Sequence, residues 1–268
     1  MSSSSGRLLV DEPAPGIARL TISNPARRGA LDRSILDGLV AELASLREAR
    51  CVILTGEGSV FSAGYDIGDL SRDLSRERPE ADADALVANP FEAALAALDA
   101  HPGPTLAALN GHAIGGGLEL ALACDLRVAA ENARFGMPPA RIGLVYSHTG
   151  IRRFIDAIGA SRTRELFLVA GRIDAATALG WGLVNAVHPA AQLAGAALAL
   201  AGEMARNAPL AQRGNKRVIE ALLDGHGSLT ADVQRELLAL RHASLRSDDF
   251  REGLRAFADK RDPEWRGR

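Results

Sequence analysis

Several resources that proteins draw on for structure or chemistry are scarce in this chain. Among 268 residues there are two cysteines, Cys51 and Cys124. Two thiols can build neither a disulfide framework nor a cysteine-rich zinc site. Both sit in apolar company, Cys51-Val52-Ile53-Leu54 and Ala121-Leu122-Ala123-Cys124, which predicts buried free thiols. Aromatic residues make up 4% of the chain, too few for the stacking platforms that hold nucleic-acid bases. Charge is balanced, with 31 Lys and Arg against 33 Asp and Glu for a net of -2. No global field therefore draws the chain to nucleic acid or to an anionic membrane. Long hydrophobic runs are missing too. The longest apolar stretch, Leu193 to Ala201, contains Gly195 and falls far short of the roughly 20 residues a membrane helix needs. Met1 to Val10 has the pattern of neither a signal nor a transit peptide. The expectation is a soluble, cytoplasmic protein with no membrane and no nucleic-acid partner.

What the chain does have is ordinary globular composition, 47% apolar and 24% charged, in a length that suits one large domain or a core with an appendage. Leu8 to Val10 and Ile17 to Ile22 flank Pro13-Ala14-Pro15-Gly16, which predicts a β-hairpin. Asp32 can cap a helix whose apolar residues, from Ile35 to Leu46, recur at spacings of three and four. Cys51 to Thr55, Pro104 to Leu109 and Leu126 to Ala130 are short apolar runs between turn signals, so buried strands are expected there. Val60-Phe61 starts another extended piece, and Phe91 to Leu98 has the pattern of an amphipathic helix. Ser71 to Asp84, charged and holding Pro79, is expected to be a mobile surface segment. Strand, turn and helix alternate, which predicts an α/β core. After about residue 190 only helical patterns remain: Ala191 to Asn207, Pro209 to Leu223, Ser228 to Leu245 and Asp248 to Lys260. No internal repeat at fixed period is visible.

Two stretches could carry chemistry. Asn110-Gly111-His112-Ala113-Ile114-Gly115-Gly116-Gly117-Leu118-Glu119 follows a strand and opens an apolar helix. Glycine is a poor helix former, so three in a row need a reason. Close approach of bare backbone to a ligand is one, and tight packing against a neighbour is another. A helix start has unpaired N–H groups at its positive end, which can hold a developing negative charge. The glycines do not fall in a dinucleotide-binding pattern and no phosphate-loop Gly-Lys follows. The second stretch, Val60-Phe61-Ser62-Ala63-Gly64-Tyr65-Asp66-Ile67, comes just after a buried strand, where open α/β folds place ligand loops.

Together these motifs resemble the crotonase (enoyl-CoA hydratase/isomerase) family. Phe135-Gly136-Met137-Pro138-Pro139-Ala140, Gly143-Leu144-Val145-Tyr146, Gly182-Leu183-Val184-Asn185 and Phe257-Ala258-Asp259-Lys260 agree, so the likeness runs from about residue 8 to residue 262. The resemblance implies an α/β fold, a spiral of β-β-α units over 1–190. A helical region over 191–268 would follow, trimerising the chain, often as a dimer of trimers. It implies an acyl-CoA substrate, with coenzyme A arriving as part of that substrate and no separate cofactor or metal. Two backbone N–H groups bind the thioester oxygen in the family; Ala63 and Gly116 are the matching positions here. Ala63, Gly64, Tyr65, Asp66, Ile67, Gly116 and Pro138 are implied in substrate and CoA binding, with Phe257 and Lys260 contributed by a neighbouring subunit. Arg27 and Arg28 lie near a position where the family often keeps a basic residue for the adenine-phosphate end.

The chain also departs from the family. Hydratases of the family use two carboxylates; one matches Glu119, and the other stands twenty residues later, where this chain has Pro139. Proline can neither give nor take a proton. Glu119 itself has a plainer reading, as a first-turn residue that answers the helix dipole. Tyr146, twenty-seven residues after Glu119, resembles the branch that includes methylmalonyl-CoA decarboxylase, though that enzyme has a histidine where Tyr65 stands. Decarboxylation fits the missing base, because breaking the C–C bond itself creates the enolate. Tyr146 could equally be a wall residue bonded to backbone. His148 is a weaker candidate for proton transfer. The expectation is therefore a lyase that stabilises a thioester enolate, favoured as decarboxylation of a short malonyl-type CoA thioester. The alternatives are hydration of an enoyl-CoA by Glu119 alone, or a non-catalytic CoA- or RNA-binding relative.

Overall fold

The computed structural model describes residues 5–65, 81–225 and 230–268. Its central strands have two faces to bury, and the fold gives each face its own core. The large sheet has the order β1 (Arg7–Ala14), β2 (Ile17–Ser23), β3 (Cys51–Gly56), β5 (Thr105–Leu109), β7 (Leu126–Ala130) and β10 (Ala186–His188). β1 and β2 form the expected antiparallel hairpin, and the remaining pairs are parallel. Side chains alternate across a strand. Val52, Leu54, Ala107 and Leu109 enter one core, while Cys51, Ile53, Leu106 and Ala108 enter the other. Burial on both faces is why these strands appear in the sequence as unbroken apolar runs.

A second sheet has the order β4 (Val60–Ser62), β6 (His112–Ile114), β8 (Arg134–Gly136) and β9 (Arg172–Asp174). Successive turns of the chain lay one strand in each sheet: β3 then β4, β5 then β6, β7 then β8. Helices follow the strands: α1 (Arg33–Ser45), α2 (Ala81–Asp99), α3 (Gly116–Leu122), α4 (His148–Arg164) and α5 (Ala175–Trp181). This is the expected α/β spiral of β-β-α units. The short strands β6, β8 and β9 carry no alternation long enough to be visible in the sequence. The segment Ser71 to Asp84 lies outside the described residues except at 81–84, which open α2. That helix starts well before Phe91 and keeps Pro90 inside it.

The C-terminal helices are α6 (Leu193–Ala205), α7 (Pro209–Asp224), α8 (Ala231–Arg246) and α9 (Asp248–Asp259). The helical region begins close to residue 190, as expected, but its first helix does not stand apart. Leu193, Ala197 and Ala201 of α6 complete the core on the outer face of the large sheet. Arg50 ties the end of that helix to the sheet by donating to the carbonyls of Ala205, at 2.7 Å, and Asn207, at 2.6 Å. Both cysteines are buried, and loss of hydration pushes each thiol up to about 12. Among the described residues no helix is long and apolar enough to cross a membrane.

Asp32 does more than cap α1. Its carboxylate accepts from the Ile35 N–H at 3.1 Å and from the Gly6 N–H at 2.5 Å, so it also pins the start of the hairpin. Asp32→Ala should lower unfolding stability by about 1–2 kcal/mol, the upper range for a lost N-cap. Denaturant titration at neutral pH measures this, and an unchanged midpoint would contradict the double role.

Candidate active site

The two glycine-bearing stretches meet. Gly64, just after β4, has φ +95°, and a side-chain Cβ there would stand 2.6 Å from the Ile114 carbonyl oxygen and 3.2 Å from the Gly116 nitrogen. Only glycine allows both the dihedral and the approach. Ser62 holds the bend, accepting from the Gly64 N–H at 3.1 Å and donating to the Gly29 carbonyl at 2.7 Å. On the other side, Gly115 has φ +55° and its N–H donates to Gly136 at 2.9 Å, fixing the start of α3 against β8. The N–H of Gly116 opens α3 and has no hydrogen-bond partner among the described residues.

The expected partner of that amide needs correction. Ala63 is exposed and its N–H already donates to the Arg28 carbonyl at 3.1 Å. Ala63 therefore has no amide to offer a ligand. The nitrogen that stands beside Gly116 is that of Tyr65, 3.5 Å from where a Gly116 Cβ would be. The bend turns the peptide by two residues between them, a detail that glycine counting in the sequence does not reveal. Gly64 thus shapes the bend, and Tyr65 lies at its inner edge. Asp66 and Ile67 fall outside the described residues.

Glu119 is 2% exposed and lies in the first turn of α3. The Tyr146 hydroxyl donates a short hydrogen bond to its Oε2. Burial raises the Glu119 carboxyl above its usual range, chiefly by desolvation; the Tyr146 hydrogen bond and the Arg153 charge pull the other way, and Glu92 and Asp99 of α2 push it up. Tyr146 is raised well above a normal phenol by burial, then by the Glu119 charge and hydrogen bond. Tyr146 is therefore no wall residue bonded to backbone. Its ring also meets Phe167 edge-on at 5.6 Å. Pro139 is buried in the 3₁₀ turn Pro139–Ile142, with the half-buried Pro138 at its N-cap.

Three residues near this site have places that the sequence did not assign them. The Phe91 ring lies 3.1 Å from the Gly116 Cβ position and meets Tyr65 edge-on at 6.4 Å, so two aromatic walls flank the amides. Arg28 supplies the carbonyl that occupies Ala63. Gly150, near the start of α4, lies against Glu119. Glycine inside a helical pattern was the available clue to Gly150; Phe91 had none. Phe257 and Lys260 are far along the chain on α9, where Phe257 is 88% exposed and Lys260 caps the helix in a left-handed conformation, φ +53°. His148 is exposed at the start of α4.

Comparison with known proteins defines the class. The family model described as Enoyl-CoA hydratase/isomerase matches residues 12–268. The chain is 35% identical over 257 residues to the 2,3-dehydroadipyl-CoA hydratase of Escherichia coli (strain K12), covering 93% of this chain and 94% of that one. It is 34% identical over 261 residues to the carnitinyl-CoA dehydratase of Salmonella enteritidis PT4, covering 94% and 95%. The crystal structure of an enoyl-CoA hydratase/carnithine racemase from Magnetospirillum magneticum superposes with a TM-score of 0.88 at 31% identity, covering 99% and 97%. The chain belongs to the enoyl-CoA hydratase/isomerase family, whose members act on acyl-CoA thioesters.

The raised Glu119 carboxyl has a consequence for stability. A buried acid whose folded pKa lies above its unfolded value loses stability progressively as pH rises from the unfolded value to the folded one, and the loss is complete above both. Glu119→Gln keeps an acceptor for Tyr146 and removes the charge. The variant should be more stable than the parent at neutral pH, with the difference fading in acid. Urea midpoints across pH test it; a difference that does not depend on pH would contradict the burial argument.

Proposed function

We propose that the chain stabilises a thioester enolate and, through it, decarboxylates a short malonyl-type acyl-CoA. The observation that carries the reading is the Glu119–Tyr146 pair, a buried carboxyl with a phenol as its partner, together with the buried Pro139 where hydratases of the family keep a second carboxylate. The oxyanion donors of this proposal are the N–H groups of Gly116 and Tyr65. Each such donor contributes about 3–4 kcal/mol to the transition state in related acyl chemistry.

In this mechanism the C–C bond to the substrate carboxylate breaks, and its electron pair moves into the thioester carbonyl. Charge collects on the oxygen between the two amides, and carbon dioxide leaves. No base is needed to make the enolate. Tyr146, replenished through Glu119, returns a proton to the α-carbon, and the pair regains it from water. Burial favours the protonated form of Glu119, which suits this role, and the aromatic walls of Phe91 and Tyr65 leave the leaving carboxylate poorly hydrated.

A second reading is hydration of an enoyl-CoA, favoured by the names of the hydratase and dehydratase relatives. Here Glu119 alone activates water and the same amides hold the enolate. The amide pair and the single carboxyl serve either reaction, whereas a non-catalytic CoA-binding relative has no use for the Glu119–Tyr146 pair. We also propose assembly as a homotrimer or a dimer of trimers, with Phe257 and Lys260 reaching a neighbour's CoA. The exposed apolar side chains Ile219, Leu222, Leu238, Leu254 and Phe257 on α7, α8 and α9 support it.

A panel of acyl-CoA thioesters scored by mass spectrometry separates the readings by loss of carbon dioxide or gain of water. Decarboxylation of methylmalonyl-CoA is the expected outcome. Glu119→Gln should abolish any hydration, since Glu119 is the group that activates water in that reading, and reduce decarboxylation less. Silence on the whole panel by a folded, CoA-binding protein would overturn the lyase reading; equal collapse of both activities would overturn the division of roles.

A further inference from the structure

We infer that Gly150 is a positioning residue: the side chain it lacks is the space in which the Glu119 carboxyl and the Tyr146 ring come together. A Cβ on Gly150 would lie 2.7 Å from Glu119 Oε1, 2.7 Å from Tyr146 Cε1 and 2.8 Å from Ser147 Oγ. At such distances something must shift. Glu119 is buried in α3, Tyr146 is wedged against Phe167, and Ser147 is the N-cap of α4, accepting from the Gly150 N–H at 3.1 Å. The first turn of α4 therefore closes on α3 through one bare Cα.

The reason for glycine here is not the backbone. Gly150 lies inside α4 and is absent from the residues of positive φ. Alanine would suit that helical backbone better than glycine does. The position thus gives up helix stability and gains contact between the two side chains. This inference rests on the reading of Glu119 and Tyr146 as the proton-handling pair, and it adds what holds them in register.

Gly150→Ala separates the structural from the positional role. Helix propensity improves, while the Cβ must push the Glu119 carboxyl away from Tyr146. Other charged groups act on Glu119: Glu92 and Asp99 from α2, and Arg153 from α4, itself clamped by Asp99. They remain in place in the variant. Loss of the Tyr146 hydrogen bond removes an influence that lowers the Glu119 pKa, so the pH limb governed by Glu119 moves upward. Tyr146, freed of the adjoining charge, moves downward toward an ordinary phenol.

The chain has two tyrosines, so the protein labelled with ¹³C at the tyrosine ring gives two signals, and Tyr65→Phe identifies Tyr146. The expected result for Gly150→Ala is an intact fold, a Tyr146 titration shifted downward, and kcat reduced by about a hundredfold, as for a displacement near 1 Å, with KM held. Gly195→Ala in α6, where a Cβ meets nothing within 4 Å, should leave both readouts as in the parent. An unchanged Tyr146 titration in folded Gly150→Ala would overturn the inference. So would a loss of activity that only tracks a loss of thermal stability. The titration needs no substrate, so it decides the role of Gly150 even if the panel of thioesters finds no turnover.

Discussion

The site depends on a close approach of two backbones. Gly64 and the Ile114–Gly116 segment lie so near each other that a single methyl group would strike a carbonyl oxygen. That approach sets Tyr65 beside Gly116 and starts α3 where its first amide is bare. From there Glu119 follows by helical geometry, one turn along, facing inward. The spiral makes the approach possible, because each turn leaves one sheet and enters the other at the same corner, stacking the β4 bend on the β6 bend. The binding of any oxyanion is then a property of peptide groups whose positions the packing of two sheets decides.

Electrostatics around Glu119 follow from the same packing. Desolvation is the largest influence on its carboxyl, and Tyr146 answers it only in part. In water an isolated carboxyl would gain little from one phenol. In a buried site, the partner that remains has a larger effect, because little else competes for the oxygen. The fold keeps an acid there at a cost in stability, which is the usual sign of a group retained for chemistry.

Much of the architecture was legible in the sequence. The hairpin, the Asp32 cap, the three long parallel strands and all four C-terminal helices are encoded by local signals, namely turn residues, capping side chains and apolar periodicity. The family likeness rested on motifs that sit at the meeting point of the two bends. What escaped was set by tertiary geometry. Strands of three residues in the second sheet have no period to detect. That Ala63 has no spare amide turns on the Arg28 carbonyl that occupies its N–H, across a separation of thirty-five residues. Phe91 lies where it does because α2 packs over the bend, and nothing in its neighbourhood in the chain announces that.

The two thiols offer a practical consequence. Cys51 and Cys124 are sealed in the two cores and held far from the thiolate form, so the thiols of the folded protein are shielded from thiol-directed reagents. The position of Ala63, by contrast, is exposed beside the Gly64 bend, and its own amide is already engaged. A cysteine introduced there would be the one addressable thiol, because both native cysteines are buried. A fluorophore or spin label could then be attached beside the Gly64 bend, without first stripping the protein of its native residues.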